Sequence, residues 1–401
     1  MTMKRLYDHP SDMEPLLPED REGRLVQLGL EVIRRAERLR GGLHPVTRRA
    51  VIELVRSMNS YYSNLIEGHR TMPRDIDAAA RQEFSEDAKR RSLQQLHWAH
   101  VETQRWMESV LTGMKAAELC GAEFLCRLHR EFYLRLPEEA RWVEDAGGKR
   151  HAVEPGALRV SPVTVGIHAA PAHGELERFL GRFAAFYGPL VQATPQGLVA
   201  AAAAHHRLAW MHPFLDGIGR VARRFTQGWL QRAGAAAEGL WTLARGFARR
   251  QQDYKAMLAR ADERRLNDFD GRGYLSERRL GEFCEFALTT AVDQLDFMHE
   301  LLDLQGMQRR IAGYAERRES ASELPKGAGA VLRTAFLRGE IVRGEVARVI
   351  GVSPRTGQTV TRELLKQGLL LSDSPKGPLR LGFPGAAAGS YFPNLFPAGA
   401  E

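Results

Sequence analysis

Cysteine is scarce in this 401-residue chain: Cys120, Cys126 and Cys284 are an odd number and share no metal-ligand spacing. Their sparseness excludes a disulfide scaffold and a thiolate metal centre, and reads as the reduced thiols of a cytoplasmic protein. No apolar run is long enough to cross a bilayer, and the opening MTMKRLYDHPSDMEPLLPED lacks the apolar core of a secretion signal. Internal repeats are lacking too, and charged residues at 26% with hydrophobic residues at 44% argue against disorder. Acidic residues are the minority charge: 49 Asp and Glu stand against 57 Lys and Arg, a formal charge of +8. That balance suits a polyanionic partner without separating nucleic acid from nucleotide.

Strand signals are also few. Leu25, Leu28, Val32 and Leu39 recur at helical spacing, and Gly41-Gly42 stop the run. A second run starts at Thr47, a candidate N-cap, and stops at Gly68. Further amphipathic runs cover roughly 86–118, 120–136, 173–187, 195–211, 219–233, 252–265 and 276–315. Residues 141–171 are the exception, where glycine, proline and valine predict irregular loop and a short hairpin. The expectation is an all-α fold with an N-terminal helical region (1–100), a core (101–315), a polar linker (316–329), a compact unit (330–385) and an irregular tail (386–401).

The segment MHPFLDGIGRVARRF, Met211 to Phe225, follows an alanine-rich helix. His212-Pro213 breaks that helix, Asp216-Gly217 is a turn signal, and a new helix starts near Gly219. Its first turn carries Arg220 and Arg223 on one face. Cations there oppose the helix dipole, and a bound anion reverses that penalty. Free N–H groups, glycines that admit a ligand and two arginines make a phosphate cradle. Asp216 could hold a divalent cation on a pyrophosphate, and His212 could take a proton from an attacking hydroxyl. A dinucleotide-binding fingerprint is excluded, because a helix precedes the glycines and the third glycine is missing.

These residues resemble the signature of Fic domains: His, any residue, Phe, any, Asp or Glu, Gly, Asn, Gly, Arg, any two, Arg. Here they are His212, Phe214, Asp216, Gly217, Gly219, Arg220 and Arg223, with Ile218 in place of Asn. The resemblance implies a mostly helical Fic core with a short β-hairpin flap. It also implies an enzyme that moves AMP from magnesium-bound ATP to a hydroxyl side chain of a protein, itself included. His212 would be the general base, Asp216 the Mg2+ ligand, Gly217 and Gly219 the anion hole, with Ile218 between them at the nucleotide-binding position, and Arg220 and Arg223 the phosphate clamps. Tyr254 is placed where related proteins have an aromatic facing the nucleotide base. Ile218 offers no donor or acceptor, and it would be strained if the loop demanded left-handed geometry there. That departure keeps open a second reading, a catalytically degenerate regulator that binds nucleotide without turnover.

Ser63-Asn64-Leu65-Ile66-Glu67-Gly68 resembles the family's inhibitory motif, Ser or Thr, three residues, Glu, then Gly or Asn. Ser63 and Glu67 share a helix face, and Glu67 sits in a last turn that disfavours a carboxylate, so pairing with Arg223 is expected. Gly156-Ala157-Leu158-Arg159 resembles the Gly-x-x-Arg that precedes the family's target-docking hairpin, which would hold Val165, Gly166, Ile167 and His168.

Two other patterns are weaker. His205, His206 and His212 lack a carboxylate at metal-ligand spacing, and Asp268 to Gly273 fails as a calcium loop because Arg272 and Arg279 fall where oxygen ligands are needed. Residues 330–383 have the rhythm of a winged helix, with helices over about 330–338, 343–350 and 354–367 and a two-stranded wing. Arg355, Thr359, Arg362 and Lys366 on the third helix, with Lys376 and Arg380 on the wing, are the layout of a DNA reader; such units also serve as protein-binding or homodimer modules.

Overall fold

A computed structural model describes residues 7–145, 147–166 and 168–396. The fold is all-α with three small antiparallel sheets. The N-terminal helices are α1 (Arg24–Arg40), α2 (Pro45–Ile66), α3 (Pro73–Ala80), α4 (Ala88–Leu111) and α5 (Ala122–Leu134). After α5 come two hairpins, β1 (Trp142–Glu144) with β2 (Arg150–Ala152), and β3 (Thr164–Val165) with β4 (His168–Ala169). The central helices are α6 (Leu176–Tyr187), α7 (Pro195–Met211), α8 (Ile218–Arg232), α9 (Leu243–Arg249), α10 (Gln251–Ala261) and α11 (Glu277–Leu301).

α7 is alanine-rich because it is surrounded: α1, α6, α8 and α11 all pack against it, and small side chains let their backbones approach. α2 lies across α4 and α9, which aims its C-terminal end at the start of α8. It begins one turn before the expected N-cap. His44 caps it by accepting from the Val46 N–H, and Pro45 takes the first helical position. Thr47 is instead buried, its hydroxyl donating to Phe336 O at 3.0 Å.

The expected linker is shorter than 316–329, since α12 (Leu304–Ser320) and α13 (Ala328–Arg338) leave only residues 321–327 between them. Beyond lie β5 (Glu340–Ile341), α14 (Val346–Ile350), α15 (Pro354–Lys366), β6 (Leu370–Leu371) and β7 (Leu379–Leu381), with sheet order β5-β7-β6. The irregular tail is a correction. It starts with α16 (Gly385–Tyr391), and Tyr391, Phe392 and Leu395 are buried. Leu395 O accepts from Tyr62 Oη on α2 at 2.9 Å, and Asn394 O from Arg245 on α9 at 2.8 Å. One cluster of buried apolar side chains thus runs from Met13 to Leu395.

The interior also holds neutral histidines. Burial lowers the His97 and His205 imidazoles to about 3 and those of His129 and His212 to about 4. The unfolded chain, with histidines near 6.5, binds more protons than the folded one through this range. Stability is therefore complete above about pH 6.5 and is lost as pH falls below it. Urea unfolding should show a clearly lower midpoint at pH 5 than at pH 7.5; equal midpoints would contradict the buried neutral state.

Candidate active site

α7 ends at Met211, and His212 then turns the chain with φ 46° and ψ 58°. A left-handed residue with a side chain is strained by about 1–2 kcal/mol, so neighbours must hold it. Arg159, 3% exposed, does so: Nε donates to His212 O at 2.7 Å, Nη2 to Pro171 O at 2.6 Å, and its backbone N–H to Pro213 O at 2.9 Å. Phe214 anchors the loop from inside, fully buried and stacked on His129 at 4.2 Å. The Gly156 N–H donates to His129 Nδ1 at 2.9 Å, which leaves the His129 proton on Nε2, facing Asp216 O at 3.3 Å.

The turn into α8 is made by Gly217, at φ 80°, where a Cβ would lie 2.9 Å from Tyr133 Oη. Both the backbone conformation and the tyrosine therefore require glycine. Ile218 is the first residue of α8 and is not left-handed, so the strain expected there is absent. It is 8% exposed and belongs to the apolar core, which is what a β-branched aliphatic side chain offers in place of a polar one. No side chain caps α8, so its first-turn N–H groups have no acceptor within the helix.

Two ion pairs span this helix start. Asp216 Oδ2 accepts from Arg220 Nη2 at 3.0 Å and from Tyr133 Oη at 2.5 Å. Arg223 Nη2 donates to Glu67 Oε1 at 2.6 Å and to Ser63 O at 2.9 Å, while its Nε donates to Ser63 Oγ at 2.9 Å. α2 thus grips Arg223 through both ends of the hexapeptide, and Gly68, at φ 87°, turns the chain away. The carboxylate also lies directly over Gly219, where any Cβ would overlap Glu67 Oε1. Burial pushes the Glu67 carboxyl up, but Arg223 and Arg220 outweigh it and hold it below its ordinary value. Asp216 behaves alike, with Arg220 as the main opposing charge. His212 is lowered to about 4 by burial first and then by Arg159 and His168, so it is neutral at pH 7.

Other expected residues fall differently. Tyr254 is a correction: it is 3% exposed, its ring stacks on Phe247 at 4.2 Å and its hydroxyl bonds His205 Nε2 at 2.8 Å, so it packs in the core and does not line the open site. In the β3–β4 hairpin Val165 is exposed and Gly166 has φ 60°, whereas His168 is buried and bonded to Trp210 O at 2.9 Å. His168 anchors the hairpin and does not present itself to a partner; Ile167 lies outside the described residues. Arg355, Thr359, Arg362 and Lys366 are exposed on α15, but Arg380 is taken by Asp373. Asp270 closes a turn by accepting the Leu266 and Arg278 N–H groups. Among the described residues no group of three or more metal-ligating side chains occurs. Tyr133 and His129 went unrecognised in the sequence because their roles depend on a contact some 85 residues away.

Comparison with known proteins agrees with this geometry. The profile described as Fic/DOC family matches residues 119–230. The chain is 37% identical over 82 residues to a "Protein adenylyltransferase Fic" of Drosophila yakuba, and 38% identical over 90 residues to one of Nematostella vectensis. These matches cover 20% and 22% of this chain, and only 17% and 20% of the two relatives. A Fic family protein of known structure from Desulfovibrio desulfuricans G20 shares the fold at a TM-score of 0.50 and 18% identity, covering 91% of this chain and 98% of that one. No described helix is long and apolar enough to cross a membrane. The matched segment contains the His212 to Arg223 loop, so what this chain shares with the Fic/DOC family is residues 119–230, the part that holds the candidate site.

Proposed function

We propose that the chain is a protein adenylyltransferase that moves AMP from ATP to a Ser, Thr or Tyr hydroxyl, and that Glu67 restrains it. The observation that carries this reading is the uncapped start of α8, ringed by Arg220, Arg223 and neutral His212. Polyphosphate replaces the carboxylates that hold these arginines at rest. The attacking hydroxyl oxygen bonds to the α-phosphorus, the bond from that phosphorus to the bridging oxygen breaks, and pyrophosphate departs. His212 takes the hydroxyl proton. Burial keeps the imidazole neutral at pH 7 and so able to accept that proton. Most of the catalysis is positioning and charge stabilisation.

Asp216 fits one ligand of Mg2+, because magnesium commonly takes one or two carboxylates with substrate phosphates completing the shell. Bound there, the ion would neutralise the pyrophosphate. The exposed Val165 on the β3–β4 hairpin supports backbone docking of a protein target, including a second copy of this chain. The β5–β7 unit is read as a winged helix whose α15 face suits DNA or a protein partner.

Incubating full-length Glu67→Gly with Mg-ATP should yield chains heavier by one adenylyl group on a hydroxyl side chain; unmodified protein and targets would contradict transfer. A second reading, the nucleotide-binding regulator, is favoured by the aliphatic Ile218. The Ile218→Asn variant discriminates: activity within threefold of Glu67→Gly alone indicates an active natural site, and activity only after the substitution indicates a degenerate one.

A further inference from the structure

Arg224 is the least explained side chain in the molecule. It is 1% exposed, and Nε, Nη1 and Nη2 all lack a hydrogen-bond partner among the described residues. Beside it His100, fully buried on α4, has neither ring nitrogen bonded. Among the described residues, the contact that suits the charge is the face of Phe132, 4.6 Å from the guanidinium carbon. The charges that reach Arg224 most strongly are Arg220, Arg223 and Arg135, all of its own sign, and burial together with them pushes its proton affinity far down. A lone buried cation of this kind opposes folding, and an apolar side chain of similar volume is commonly more stable in such a place.

Its position suggests what it serves. Arg220 lies over the same Phe132 ring at 5.2 Å, so the two guanidinium carbons are within about 10 Å of each other. Arg224 thus stands behind the clamp, in a dry interior where its field is little screened. In the resting chain the clamp is occupied by Glu67 and Asp216, whose charges are single. A polyphosphate carries several.

We propose that Arg224 is a positioning residue of the anion clamp: a third, buried cation behind Arg220 and Arg223 that favours ligands with more than one phosphate. It touches no ligand and acts through the field at Arg220 and Arg223, which line the helix start. The inference rests on reading the start of α8 as a polyphosphate site. Its distinctive consequence is that stability and affinity move in opposite directions when the charge is removed.

The test compares full-length Glu67→Gly with Glu67→Gly carrying Arg224→Met or Arg224→Lys, using inorganic tripolyphosphate and AMP as calorimetric probes and thermal unfolding without ligand. Arg224→Met should raise the melting temperature by about 2–4 °C and weaken tripolyphosphate about tenfold, with AMP changed less than threefold. Arg224→Lys, which keeps the charge, should bind tripolyphosphate within about threefold of its parent. A Met variant that melts lower, fails to fold or binds tripolyphosphate as tightly as its parent overturns the role of Arg224 alone. If the Glu67→Gly parent itself binds no tripolyphosphate, the clamp reading falls, and this inference with it.

Discussion

Glu67→Gly should raise adenylyl transfer by about 30- to 150-fold over the unmodified chain. The carboxylate holds Arg223 through a 2.6 Å charge-assisted bond and covers Gly219, so under the proposed function it occupies both the cation and the space that a terminal phosphate would take. Displacing a partly desolvated pair of this kind costs about 2–3 kcal/mol, and each 1.36 kcal/mol is a factor of ten. Arg223 keeps its bonds to Ser63 Oγ and O in the variant, so the guanidinium stays near the site while the space above Gly219 opens. Arg223→Ala should abolish transfer with or without Glu67, because the clamp itself is then missing. Steady-state rates of the three variants against the parent check this. A Glu67→Gly chain no faster than its parent would show that the ion pair is structural.

The second large effect is at His212. In the Glu67→Gly background, His212→Ala should lower turnover by about 10²–10⁴-fold while changing ATP affinity less than threefold, since the imidazole acts on the hydroxyl and not on the phosphates. The low proton affinity of the resting imidazole, about 4, keeps it neutral and able to accept a proton well below pH 6.5. Turnover of Glu67→Gly should therefore hold from pH 8 to about pH 6 and fall at lower pH. A rate that already halves by pH 7 would place the base elsewhere, as would an alanine variant that keeps full turnover.

The loop from His212 to Arg223 could be read in the sequence because its chemistry is local. Helix breaker, turn and new helix follow within a dozen residues, and the structure puts all of them at one helix start. The contact between Glu67 and Arg223 spans 156 residues, yet it too was legible, because each helix end disfavours the charge it carries. What escaped depends on packing. Nothing in Gly-Ala-Ala-Ala-Gly-Ser-Tyr announces that α16 will be covered, since its burial comes largely from Tyr314 and Arg310 on α12, with Phe383 packing from just before the helix. Tyr254 had the right spacing for a base-facing aromatic, and only the stacked Phe247 and the bonded His205 reveal that its ring is buried and its hydroxyl engaged. The strain expected at Ile218 failed for a backbone reason: the left-handed step falls one residue earlier, at Gly217.

The most direct measurement is a paired labelling of full-length Glu67→Gly with ATP carrying the label either at the α-phosphate or at the γ-phosphate, in the presence of a cell lysate and magnesium. Transfer of AMP predicts protein-bound label from the α-labelled nucleotide alone, lost when His212→Ala is introduced. Label retained from the γ-phosphate, or none from either, would contradict the account.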